Sequence, residues 1–126
     1  MGHAAMRIRV FAQSPQDYNA WLAHQRQPAS APAAGAAAKG AEIFREKNCV
    51  NCHSISGLST RGRVAPDLTH VGSRTTLASG SLANTPENLE HWLKNPQSMK
   101  MGTRMPDIGL ETDQINDLTA YLEGLK

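Results

Sequence analysis

Residues 49 to 53 read Cys49-Val50-Asn51-Cys52-His53, and the spacing of these five residues decides how the chain is organised. Two thiols three positions apart, followed at once by an imidazole, form the attachment signature of c-type haem. The thiols add to the haem vinyl groups as thioethers, and the imidazole binds the iron. The geometry explains the spacing. Residues i and i+3 of a helical turn share one face, so both sulfurs reach one edge of a macrocycle while residue i+4 swings beneath its metal.

Two other uses of a Cys-x-x-Cys pair fit the sequence less well. A structural zinc site needs two further ligands, usually at similarly short spacing. The chain has no third cysteine, and His3, His24, His70 and His91 are scattered singly. A thioredoxin-like dithiol expects strands alternating with helices around it, and the sequence flanking Cys49 lacks that pattern.

Working outward, 126 residues give room for one domain and an appendage. Aromatic residues make up only 5% of the chain, which is lean for a core built from side chains alone. A buried macrocycle supplies the apolar mass that is lacking. Mean hydropathy is −0.45, and no apolar run approaches the ~18 residues that read as a membrane span. No basic region followed by an apolar stretch opens the sequence, so no signal peptide is read. Haem attachment to such motifs takes place outside the cytoplasmic membrane, so the chain is expected to be a piece of a longer, exported or anchored protein.

A formal charge of +2 argues against a nucleic-acid partner, which would call for a strongly basic surface. The charges are unevenly spread. Arg61, Arg63, Arg74, Lys94, Lys100 and Arg104 fall in the middle of the chain, whereas Asp107, Glu111, Asp113, Asp117 and Glu123 crowd its end. Such a pattern is either a solvated surface or a docking face that steers a redox partner.

Residues 27–40 are rich in Ala, Pro, Gly and Ser and read as a flexible linker whose later alanines merge into the next helix. Ahead of it, Arg7-Ile8-Arg9-Val10-Phe11 alternates like a strand. Ser14-Pro15-Gln16-Asp17 is a helix start, with Tyr18, Trp21 and Leu22 on one face. After the linker the pattern is all-α. A helix is expected over roughly Ala37 to Lys47, then a long haem-edge loop over residues 54–84 with one short helical turn. A second helix is capped by Thr85 and carries Leu89, Trp92 and Leu93 inward. A loop is expected over 96–111, and a last helix begins at Thr112 or Asp113 with the stripe Ile115, Leu118, Leu122, Leu125.

Electron-transfer haems usually carry a second protein ligand, often a methionine thioether. Met99, Met101 and Met105 follow the motif. Met105 is best placed, in a loop stiffened by Pro106 just before the last helix. Met101 is the next candidate, and His70 and His91 are the imidazole rivals. A ligating histidine usually donates its free ring N–H to a carbonyl, for which Pro66 is the candidate. Arg74 and Trp92 are candidates to hold the haem propionates, through a guanidinium fork and an indole N–H; ordinary core packing is the other reading of Trp92. Gly40 and Phe44 are expected to meet Leu118 and Tyr121, with the glycine admitting close backbone approach. An enzymatic or gas-sensing haem would instead need an open distal position and a distal acid–base group.

From Gly40 to Lys126 the chain resembles the class I cytochrome c fold, through Gly-x-x-x-Phe, the Cys49-to-His53 motif, Pro66, a Met-Pro pair and a terminal helix ending in Tyr-Leu. More narrowly, it resembles the cytochrome c domain fused to subunit II of caa3-type haem–copper oxidases. The similar stretches run from Arg63 to Arg74, Asn84 to Leu89, Trp92 to Gln97 and Gly102 to Pro106. That resemblance implies one covalent haem c held by Cys49 and Cys52, with His53 and Met105 as iron ligands. Lys100-Met101-Gly102 departs from the Lys-Pro-Gly usual at that place and keeps Met101 a candidate. His3-Ala4-Ala5-Met6 and the segment after it resemble the tail of the subunit's copper-binding domain, although the family's upstream Cys-x-x-x-Cys copper pair is absent here. The resemblance divides the chain into a copper-domain remnant (1–26), a linker (27–38) and a cytochrome domain (39–126). It implies one-electron relay from a soluble donor protein to the binuclear copper centre of an oxygen reductase. The partners would be the copper domain and catalytic subunit, on the extracytoplasmic side of a bacterial membrane. A free-standing soluble cytochrome shuttle is the other reading.

Overall fold

The computed structural model describes residues 6–32, 34–59 and 62–126. His3 and Arg61, singled out above, lie outside the described residues. Five helices carry the architecture: α1 (Pro15–Gln25), α2 (Gly35–Glu46), α3 (Pro86–Lys94), α4 (Pro96–Met99) and α5 (Thr112–Gly124).

The fold is organised by the crossing of α2 and α5. Gly40 sits at that crossing, where a Cβ would lie 2.0 Å from the Asp117 carbonyl oxygen and 2.7 Å from Tyr121 Cβ. Only a residue without a side chain lets the two backbones come this close. One turn on, Phe44 meets the Tyr121 ring edge-on, with centroids 5.8 Å apart. The predicted stripe of α5 is buried throughout, with Ile115, Leu118, Leu122 and Leu125 joined in the core by Leu89 and Leu93 of α3. Local chemistry sets the helix ends. Thr85 accepts from the Asn88 amide at 3.3 Å to start α3, and the Glu111 amide donates to Gln114 Oε1 at 3.2 Å to start α5.

Several elements depart from expectation. Residues 7–11 form no strand. The alternation is present, but a strand needs a partner edge; Ile8 and Val10 are 91% and 90% exposed, and the Arg7 amide donates to Ser79 O at 2.8 Å. Helix α1 does form, with Ser14 Oγ accepting from the Asp17 amide at 3.1 Å, but it buries no residue. The 54–84 loop contains a 3₁₀ turn (Val71–Ser73) and a two-residue hairpin, β1 (Thr76–Leu77) paired antiparallel with β2 (Leu82–Ala83). Its tight turn runs through left-handed Ala78, Ser79 and Gly80, and neither Ala nor Ser signals that conformation. The one-turn helix α4 occupies the start of the expected 96–111 loop, since Asn95 Oδ1 caps it by accepting from the Ser98 amide at 3.0 Å.

Helix α2 starts at Gly35, earlier than expected, because alanine favours helix. The low-complexity stretch before it is partly docked. Ala29 is buried, its amide donates to Ser56 O at 2.9 Å, and His70 Nε2 donates to Gln27 O at 3.0 Å.

Candidate cofactor site

Helix α2 delivers the attachment motif. It ends at Glu46 with Lys47 as its cap, and Asn48 takes the left-handed conformation (φ 62°) that terminates a helix and turns the chain. A 3₁₀ turn over Cys49–Asn51 follows. The Cys52 and His53 amides both donate to Cys49 O, at 3.1 and 2.9 Å. The two thiols therefore leave one tight turn, Cys49 half-buried and Cys52 exposed. Burial pushes the Cys49 thiol above its ordinary range and the neighbouring Cys52 adds to this, against the opposing pull of a backbone hydrogen bond.

A loop is zipped against this turn. The Ala65 amide donates to Cys52 O at 3.0 Å and the Leu68 amide to Ser54 O at 2.8 Å. Gly62 lies so close that a Cβ there would be 2.4 Å from both Cys52 C and His53 N, so the motif's own peptide bond excludes any larger residue. The loop holds Pro66 O at 2.8 Å from His53 Nδ1. A carbonyl only accepts, so Nδ1 carries the proton and Nε2 keeps a free lone pair for a metal.

Asp67 locks the loop in place. Its carboxylate accepts from Ser54 Oγ at 2.7 Å and from the Thr69 amide at 2.8 Å. Burial alone would raise its pKa, but the bonds from Thr69 and Ser54 and the Arg74 charge outweigh it and hold the carboxyl below its ordinary value. Arg74 Nη2 donates to Asp67 O at 2.5 Å, and Asn84 Nδ2 ties Val71 O and Arg74 O together at 2.8 Å each. Arg74 is thus committed in part to the loop that orients His53.

The sulfur candidates separate by position. Met101 is 86% exposed. Met105 packs against the core while remaining partly exposed, and Gln97 Nε2 donates to its carbonyl at 2.7 Å. Met99 is half-buried at the end of α4. Of the imidazoles, His91 is exposed on α3. His70 is buried, bonded to Gln27 O, with its ring tilted against the His24 ring at a centroid distance of 4.9 Å. Trp92 is half-buried between the core residues Leu89 and Leu93. Of the cations in the middle of the chain, Arg63, Lys94 and Arg104 are exposed, whereas Lys100 Nζ donates to Ala78 O at 2.7 Å.

The donor set fits haem c. Two thiols and an imidazole with a free Nε2 stand on one turn. Val50, Leu68, Ala78, Leu82, Met105 and Leu110 pack on the core yet stay partly exposed, leaving apolar surface of the kind a macrocycle covers. Among the described residues no cluster of three or more His, Cys, Asp or Glu side chains gathers around a common point, as a closed zinc site requires.

The cytochrome c family model matches residues 37–126, from within the first turn of α2 to Lys126. The chain belongs to the cytochrome c family. Its cofactor is therefore covalent haem c, attached at the Cys49–Cys52 pair. Cytochrome c of Tetrahymena pyriformis is 35% identical over 100 residues, covering 72% of this chain and 90% of the relative. Cytochrome c oxidase subunit 2 of Bacillus subtilis is 36% identical and that of Alkalihalophilus pseudofirmus 34% identical, each over 98% of this chain. The chain spans 36% of the length of those two relatives. No helix among the described residues is long and apolar enough to cross a membrane.

Three contributors escaped the sequence reading: Gln97, Asn84 and the Ser54–Asp67 pair. Each acts by bonding backbone or side chain across a loop, and no periodicity or spacing reports such a contact.

Proposed function

We propose that this cytochrome c domain is a one-electron carrier in which His53 and Met105 would hold the iron, relaying electrons from a soluble donor protein to the binuclear copper centre of a haem–copper oxygen reductase. The observation that carries the ligand reading is the Pro66 O bond to His53 Nδ1, which leaves Nε2 as the only lone pair on the ring. Met105, packed on the core and tied back through its carbonyl, would supply the sulfur ligand.

Bound haem supplies an iron that cycles between two oxidation states without a bond of any substrate being made or broken. The chain's residues do the rest. Pro66 and Asp67 fix the imidazole plane, so the ligand moves little between redox states. Because Cys52 is exposed, a macrocycle edge tethered there would stand at the surface, where a partner could approach. Trp92 and the remaining donors of Arg74 would hold the propionates.

The oxidase assignment rests on similarity to the two subunit 2 relatives over 98% of the chain, which takes in the residues ahead of Ala37. The exposed Ile8, Val10, Phe11 and Trp21 suit the tail of a copper domain, whose apolar side chains would pack on the rest of that domain. This chain lacks the family's copper-binding cysteine pair, so the copper would be held by another part of the subunit. The proposed location is the extracytoplasmic face of a bacterial membrane.

The test uses the intact oxidase with both Cys49 and Cys52 changed to Ser. Oxygen consumption driven by a donor protein should collapse, while a small-molecule reductant that feeds the copper centre directly still supports it. Undiminished turnover from the donor protein would overturn the relay.

A further inference from the structure

We propose that Gln97 is the positioning residue of the sulfur ligand: its carboxamide nitrogen clamps the Met105 loop and sets how readily the thioether leaves the iron. The inference rests on the reading of Met105 as the second ligand.

The loop needs such a clamp. After α4 the chain swings outward through fully displayed Met101 and left-handed Gly102 (φ 83°). It then returns without regular structure as far as Glu111. Among the described residues, the stretch between Arg104 and Leu110 is held by the Gly109 amide donating to Asp107 Oδ1 at 2.9 Å, which is internal, and by Gln97 donating to Met105 O. Gln97 Nε2 donates to Met105 O at 2.7 Å and to Thr103 O at 3.3 Å, so one side chain holds both the ligand residue and the stretch that leads into it. A carboxamide has two N–H donors, which matches two carbonyl acceptors.

The platform beneath Gln97 is stiff. Pro96 is fully buried, Asn95 Oδ1 caps the turn, and Ser98 Oγ donates back to Asn95 O at 2.8 Å. Gln97 itself is exposed, so the side chain contributes donors rather than core volume. A thioether is a neutral, weakly held ligand. Its retention depends on how little the backbone behind it can move, and outer partners of this kind typically change metal–ligand affinity about 10–100-fold.

The experiment titrates the ferric holoprotein with imidazole and follows loss of the sulfur-to-iron charge-transfer band. Gln97→Glu keeps the shape of the side chain but replaces both donors with an acceptor; Gln97→Ala removes it. Both are expected to lower the imidazole midpoint about tenfold or more, with the guanidinium unfolding midpoint little changed. A wild-type midpoint in both variants would overturn the clamp. A loosened Gln97→Ala beside a wild-type Gln97→Glu would also overturn it, because shape and not donation would then matter. Met105→Ala serves as the separate control: a band that survives that change refutes the ligand reading itself, whatever Gln97 does.

Discussion

Replacing Gly40 by alanine tests whether the α2–α5 crossing supports the haem-binding turn. The added Cβ would stand 2.0 Å from Asp117 O, 2.6 Å from Asp117 C and 2.7 Å from Tyr121 Cβ. These are backbone or near-backbone atoms, and none can rotate aside. An ordinary carbon–oxygen contact needs about 3.2–3.5 Å, so the helices must separate by roughly 1.2 Å or more. That motion strains the Phe44–Tyr121 contact and the seat of Leu118, which is 1% exposed. Overpacking of this kind costs about 1–3 kcal/mol, and backbone separation places the change at the upper end or beyond. Alanine's better helix propensity returns about 1 kcal/mol. The net expectation is a loss of about 2 kcal/mol, or roughly 8–16 °C in melting temperature for a domain of this size. Thermal and guanidinium unfolding of the holoprotein, followed at the haem absorption band, measure it. An alanine variant as stable as the parent would refute the claim that backbone contact at Gly40 sets the crossing.

Other expectations follow from the same geometry. With either Cys49 or Cys52 changed to Ser, haem should remain bound to the denatured chain through the surviving thioether; with both changed it should be lost on a denaturing gel stained for haem. Asp67→Asn should weaken the loop that orients His53 by about 1 kcal/mol at neutral pH, once solvent screening of this exposed carboxylate is allowed for. The sign is fixed by the direction of its pKa. A carboxyl held low in the folded state stabilises it above the ordinary aspartate value of about 3.9, and that contribution fades as pH falls through the lower folded value. The stability gap between parent and variant should therefore close in acid, as acid titration of the melting temperature will show; a gap that widens in acid contradicts it. Ala29→Glu would place a carboxylate in a buried apolar site. It should release residues 24–30 and raise limited-proteolysis rates there about tenfold or more, with the haem spectrum unchanged.

How far the sequence could be read differs by element. The five-residue motif, the α5 stripe and the Thr85 and Ser14 caps each express a local rule, so their positions were legible. Gly40 was legible because a lone glycine in a helical pattern facing another helix has few other uses. The strand expected at residues 7–11 failed because alternation describes a strand's faces and says nothing of whether a partner edge is present. The docking of Ala29 was hidden by composition, since an Ala/Pro-rich stretch gives no sign of the Ser56 carbonyl and His70 ring that receive it. The hairpin at residues 76–83 was hidden because Ala78 and Ser79 are not residue types that favour the left-handed conformation they take there. Gln97 sat inside a stretch already noted for its resemblance, yet its role depends on two carbonyls six and eight residues away.

The central claim is that iron is held between the His53 imidazole and the Met105 thioether. X-ray absorption at the iron edge of the ferric holoprotein, paired with the same measurement on Met105→Ala, tests it most directly. The account predicts a sulfur neighbour in the parent that vanishes in the variant, with the imidazole retained in both. Iron lacking a sulfur neighbour in the parent, or keeping one in the variant, would contradict it.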